Sequence, residues 1–229
     1  MATLAQFRSR VSAKIGLDTT AAGADETLVD SWVNEGVVDV LRETQCNVDT
    51  QTVTPGASAD YALSASVLGI IDMYTSSSST DSRLEQVSVP DLLEMRRNGA
   101  AATGSPTTYY ALAGTDLMLF YPTPAAADTF TMYYVPKPTA LSLSSDDPSS
   151  ASLGGVRVEF HKAVEFYALA EAADYDDDSS SAQGARYRER YAEELGKVRR
   201  QLIRLGRYKQ PPARLPTQRR RRVLRYNDQ

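Results

Sequence analysis

The sequence predicts an α+β protein: a helical body of two amino-terminal and two carboxy-terminal helices, an inserted antiparallel β-rich module, and an extended basic carboxy-terminal arm. Three observations predict it. Apolar residues recur at helical spacing towards both ends of the chain. Between Ser105 and Ser142 the pattern changes to aromatic and β-branched runs broken by Gly, Pro, Asp and Ala, the composition of a pleated, half-buried surface. The last stretch, RYKQPPARLPTQRRRRVLRYNDQ, has three prolines and little periodicity.

Taken in order, residues 3–15 read as a helix with Leu4, Phe7, Val11 and Ile15 on one face. Thr3 with Gln6 forms a capping-box pattern and Gly16 suits the residue past the end. After a loop at 17–24, Asp25 is expected to cap a helix over 25–44 with the stripe Leu28/Val29, Trp32/Val33, Val37 and Val40/Leu41. The period then shortens. Residues 50–54, 60–63, 67–75 and 84–89 read as strands, and 90–98 as a short helix with Pro90 at its start and Gly99 closing it. Three consecutive strands follow as a meander, at 107–112, 117–121 and 129–135. Large residues on both of their faces imply packing on both sides.

The Ser/Asp/Gly-rich stretch after Pro138 is too polar for a core and reads as a surface link, with Gly154-Gly155 a flexible hinge. A helix is expected over 156–175, carrying Phe160, Val164 and Tyr167 and then alanines that permit close packing. The next, over 185–205, carries the stripe Tyr187, Tyr191, Leu195, Val198, Leu202 and Leu205. Gly206 ends it, and Pro211-Pro212 favours an extended backbone beyond. The organisation is therefore 1–49 and 141–206 as the two parts of the helical body, 50–140 as the β-rich insertion, and 207–229 as the arm.

Charge divides the same way. The net −4 of the 229 residues hides +11 from Arg186 onward, with fifteen Lys/Arg against four Asp/Glu, and −15 before it, with ten against twenty-five. No apolar run approaches the roughly 20 residues of a membrane span. The first residues lack the apolar centre of a signal peptide. A single cysteine, Cys46, fits a reducing compartment.

Catalytic chemistry is thin. His161 is the sole histidine, expected at a core edge beside Glu165, and Cys46 reads as a small packed side chain. There is no phosphate-binding glycine motif. The acidic run Asp174, Asp176, Asp177 and Asp178 lacks the alternation of a calcium loop and reads as a solvated turn; a hydrolase with a divalent cation there is the least favoured reading. No catalytic residue, cofactor or metal is expected. The basic end has two readings. Arg219, Arg220, Arg221 and Arg222 could bind phosphates with Tyr226 stacking, making this a nucleic-acid-binding protein. Alternatively Leu215, Val223, Leu224 and Tyr226 anchor the segment on an acidic protein partner. The interleaved apolar residues and the acidic body favour docking.

Residues 25–195 also resemble a known family. WVNEGVVDVLRET, DYALSASVLGIIDMY, LEQVSVPDLLEMRR and EFHKAVEFYALAEAADY occur in that order, around a run in which Gly104, Pro106, Tyr109, Leu117, Leu119, Pro122 and Pro124 are spaced in the manner of head-to-tail adaptor (connector) proteins of tailed bacteriophages. Tyr121, inserted before Pro122, departs from that spacing. The resemblance implies a non-enzymatic virion protein at the head-tail interface, assembled in the bacterial cytoplasm. It implies a homo-oligomeric ring, a dodecamer, below the portal protein, contacting the tail or the next connector protein and letting genomic DNA pass without sequence-specific binding. It further implies portal binding by the carboxy-terminal segment, through Arg219, Arg220, Arg221, Arg222, Leu224 and Tyr226 of this chain.

Overall fold

A computed structural model describes residues 2–16, 24–63, 67–76, 82–99, 106–175 and 181–204. The chain runs α1 (Leu4–Ile15), α2 (Ala24–Thr44), β1 (Asp49–Val53), β2 (Asp60–Ala62), β3 (Val67–Thr75), β4 (Glu85–Gln86), α3 (Val89–Asn98), β5 (Tyr109–Ala113), β6 (Leu117–Tyr121), β7 (Phe130–Pro136), α4 (His161–Tyr175) and α5 (Ser181–Arg204). The architecture is α+β, as expected. Residues 207–229, the expected arm, lie outside the described residues.

α1 forms where its stripe predicts. Leu4, Phe7 and Val11 are fully buried, the Thr3 N–H donates to Gln6 Oε1 at 3.3 Å, and Gly16 at φ 80° turns the chain away. α2 begins at Ala24, which makes Asp25 a helical residue and not the cap. α4 is the central helix. Ala163, Val164, Ala168, Leu169 and Ala172 are buried against α1, α2 and α5, and the alanines let α5 approach closely. α4 starts at His161, later than expected, because Val156 is buried as extended chain and 158–160 form one 3-10 turn. α5, about 36 Å long at 1.5 Å per residue, seats Leu195, Val198 and Leu202 in the same core, while the expected Leu205 lies outside the described residues.

The β-rich region is two sheets packed face to face. One has the order β1-β7-β3, all antiparallel; the other has the order β2-β6-β5-β4, with β4 parallel to β5. Phe120 of β6 stacks on Phe130 of β7 across the gap, ring centroids 5.1 Å apart, among Met73, Met118 and Met132. The expected three-strand meander is therefore corrected. β5 and β6 pair as a hairpin, but β7 does not continue it; the eight-residue link with Pro122 and Pro124 carries the chain to the centre of the other sheet. There β7 can bury both faces, Met132 on the second sheet and Val135 on the helices. The strand expected at 84–89 shrinks to Glu85–Gln86. Ser88 accepts from the Asp91 N–H and, with Pro90 in the first turn, starts α3 at Val89 despite valine's β preference.

α3 covers the outer face of the second sheet, Leu92 packing on Ala111 and Leu119. The layers thus run helices, first sheet, second sheet, α3. Gly99 closes α3 for a reason of space: a Cβ there would meet the Tyr121 hydroxyl at 1.8 Å and the Met95 carbonyl at 2.7 Å. Tyr121, the residue that departs from the adaptor spacing, lies directly over the end of α3. The return link is also better fixed than a flexible hinge. Asn34 pairs with both backbone groups of Leu141, at 2.7 and 3.1 Å. Asn47 donates to the Gly154 carbonyl at 2.8 Å, and Gly154 and Gly155 hold positive φ.

Candidate functional site

α5 is the most charged element of the body, and most of its cations are spoken for. Arg188 pairs with Asp174, Arg199 with Glu43, Lys197 with Glu194 at 2.7 Å, and Arg190 lies 5.8 Å from the Phe166 ring centroid. Arg186, Arg200 and Arg204 make no ion pair among the described residues. Beyond Arg204 the chain leads to Arg219, Arg220, Arg221, Arg222, Leu224 and Tyr226, which lie outside the described residues, as do Asp176, Asp177 and Asp178. Asp174, the described member of the acidic run, is committed to Arg188. Among the described residues no group of three or more His, Cys, Asp or Glu could hold a metal ion.

His161 is a structural residue. Its Nδ1 accepts from the Ala2 N–H at 3.3 Å, so Nε2 carries the proton and donates to the Val156 carbonyl at 3.1 Å. Burial pushes its pKa down, against smaller upward effects of that carbonyl and of Asp147 at 3.8 Å. The expected pairing with Glu165 does not form. Glu165 faces α1 instead and binds Lys14 at 2.6 Å and Arg10 at 3.2 Å. Cys46 is packed against the helical core, and burial raises its thiol pKa.

Several open notches lie among the described residues, and two of them join segments distant in the chain. One, about 500 Å³, lies between α2 and the strand-to-link segment, lined by Asn34, Glu35, Arg42, Lys137 and Tyr167. At its edge the Tyr191 hydroxyl donates to Asp39, and the Tyr191 and Tyr167 rings meet edge to face at 5.6 Å. Burial, then that hydrogen bond, raises the Tyr191 pKa, so it is a neutral donor at physiological pH. The second notch, about 470 Å³, opens on the outer face of the first sheet where it leaves the helices. Val48, Ile71, Tyr74 and Tyr133 line it, with Tyr133 edge-on to Tyr74 at 6.1 Å. Asp72 at its rim holds Arg83 at 2.6 Å and the Tyr74 hydroxyl at 2.8 Å.

Sequence reasoning missed both notches, and it missed Phe166 between Lys14 and Arg190. Each joins segments distant in the chain; the one local signal was the large residues alternating along 129–135.

The notches and the charged face of α5 are surfaces open to a partner, and His161 is committed to the core. The family model described as SU10 adaptor protein matches residues 2–220. The chain belongs to that family and is accordingly a phage structural adaptor, a virion component whose family associates in general with portal and tail proteins. A comparison with curated proteins finds no match. No helix among the described residues is long and apolar enough to cross a membrane.

Proposed function

We propose that this adaptor forms a homo-oligomeric ring, of twelve copies, below the portal of the filled capsid, extending the DNA channel and offering a platform to the tail or to the next connector ring. The observation that carries the reading is the family match over residues 2–220, which includes every described helix and strand. Charge supports it: a body at −15 before Arg186 repels passing phosphates and lets genomic DNA slide.

The portal contact in this reading is the carboxy-terminal segment, with Arg219 to Arg222, Leu224 and Tyr226 as the binding residues. In sequence it follows α5, which Leu202 (1% exposed) anchors in the core. Ordering on a portal ring costs conformational entropy that only the docked state offsets, which delays assembly until a portal is present. The ring multiplies weak single contacts through effective concentration.

The test is the mass of the full chain alone and with portal rings, repeated for a chain lacking residues 207–229. The reading expects a ring on the portal for the full chain and at least tenfold weaker binding for the shortened one. Undiminished binding refutes the role of the segment. Salt-dependent affinity of the isolated protein for duplex DNA, lost when Arg219 to Arg222 become alanine, would favour nucleic-acid binding instead.

A further inference from the structure

A third surface lies apart from both notches. α1 and α5 pack on different flanks of α4, and half-buried Phe166 forms the floor between them. Lys14 Nζ stands 5.8 Å from its ring centroid on the α1 side, and the Arg190 guanidinium stands 5.8 Å from it on the α5 side. Arg10 and Lys14 share one carboxylate, Glu165. Arg186 lines the same stretch of α5 as Arg190, and Lys162 is exposed one helical turn before Phe166. Lys14 and Arg190 thus flank the Phe166 ring, and Glu165 is the carboxylate that Lys14 and Arg10 bind. On α5 Glu194 is held by Lys197, while Glu193, exposed, follows Arg186 by two turns on the same face.

The complementary surface is at the far end of the layers. α3 buries Leu92 and leaves Leu93 49% exposed. Asp91 and Glu94 are exposed next to it in the chain, and Glu85 is exposed on β4 ahead of the helix, where it lines a notch with Arg83 and Tyr110. Arg96, the nearest counter-charge, is spent on Asp60 at 2.8 Å and on the Ala59 and Phe120 carbonyls, which leaves Arg97 as the opposing cation. α3 therefore presents an apolar side chain beside an acidic cluster.

We infer that α3 of one copy seats in the α1–α4–α5 groove of the next, Leu93 against Phe166 and Glu85, Asp91 and Glu94 against Arg10, Lys14, Arg186 and Arg190. The inference rests on the ring reading above and names its joint. A contact between different surfaces of identical subunits closes a ring when its rotation divides a full turn. Duplex DNA is the weaker fit: it meets proteins mainly through phosphates and presents no projecting apolar side chain to a recessed ring. A helix bearing an exposed leucine does.

The experiment is a charge swap read by native mass and sedimentation, with and without portal rings. Variant one carries Arg186→Glu and Arg190→Glu, variant two Glu85→Lys and Glu94→Lys. All four residues are exposed and none makes an ion pair among the described residues, so the fold, checked by circular dichroism, is retained. Each variant alone should assemble at least tenfold more weakly than the parent, because like charges face each other at every joint. An equimolar mixture should recover assembly, since in alternating copies each reversed groove meets a reversed α3 and each unreversed groove an unreversed one. Variants that assemble as the parent does, or a mixture that stays as weak as its components, overturn the joint while leaving the ring intact. A parent chain that remains monomeric even with portal rings overturns the ring reading itself, and the joint with it.

Discussion

Lowering the pH from 7.5 to 5.5 should destabilise this protein through His161. The ring is 4% exposed and already uses both nitrogens, Nδ1 as acceptor from the Ala2 N–H and Nε2 as donor to the Val156 carbonyl. Protonating Nδ1 would set two N–H groups against each other and place a charge in the core beside Phe7, whose ring lies 5.9 Å away. Arg10 disfavours the cation and Asp147 favours it, but burial dominates and the folded pKa is lowered. The unfolded chain, with an ordinary histidine pKa of about 6.5, therefore binds more protons than the folded one as pH falls below that value. Stability is complete above about pH 6.5 and declines from there until the folded pKa is reached. At pH 5.5 the unfolded state gains up to about 1.4 kcal/mol from this one group. Urea unfolding followed through Trp32 at pH 7.5, 6.5 and 5.5 measures it, because Trp32 is the only tryptophan and is 8% exposed. His161→Gln should be less stable at pH 7.5 and lose the slope above pH 5.5. A wild-type stability that stays flat or rises over this range, or an identical slope in the variant, would refute the argument.

Phe7→Ala should cost about 3–5 kcal/mol, since Phe7 is fully buried where α1 meets α4, and thermal unfolding measures it. Gly99→Ala should weaken the docking of α3 by about 1–3 kcal/mol, because the new Cβ sits against the Met95 carbonyl and the Tyr121 hydroxyl; hydrogen exchange at 89–99 should speed up. Asn34→Ala removes both hydrogen bonds to Leu141 and should cost about 1–3 kcal/mol, with faster proteolysis of the 142–155 link as its local sign.

The helices were legible because each stripe answers to one local period: Leu4, Phe7 and Val11, or Leu195, Val198 and Leu202, are buried as their spacing predicts. The strands 67–75 and 117–121 were read to the residue, for their β-branched and aromatic runs are bounded by turn formers. Pairing was less legible. Nothing local to residues 129–135 says that their neighbours are Asp49–Val53 and Val67–Thr75 and not the adjacent hairpin, because partner choice is settled by which faces need burying. The partner of His161 was misread for a similar reason. Glu165 follows it by one helical turn, yet the amino-terminal segment, more than 150 residues earlier, supplies Lys14 and Arg10 for the carboxylate and Ala2 for the ring. The candidate surfaces suffer most from this limit, since Phe166 becomes a groove floor only when α1 and α5 arrive beside it.

The helical core is closed by helices from both ends of the chain, α1 and α2 at the start and α4 and α5 far behind. During synthesis the apolar faces of Phe7, Trp32 and Leu41 emerge at least 120 residues (161 − 41) before α4 does, which at about 5–20 residues per second is at least about 6–24 seconds without a partner. The two β-sheets complete their own packing with β7 inside that interval. The insertion can thus be a folded knob by the time the last helices leave the ribosome, and the final event is a clasp between the oldest and the newest segments. A truncated product lacking α4 and α5 would carry a finished β unit attached to two exposed greasy helices, the kind of species that chaperones hold and proteases remove.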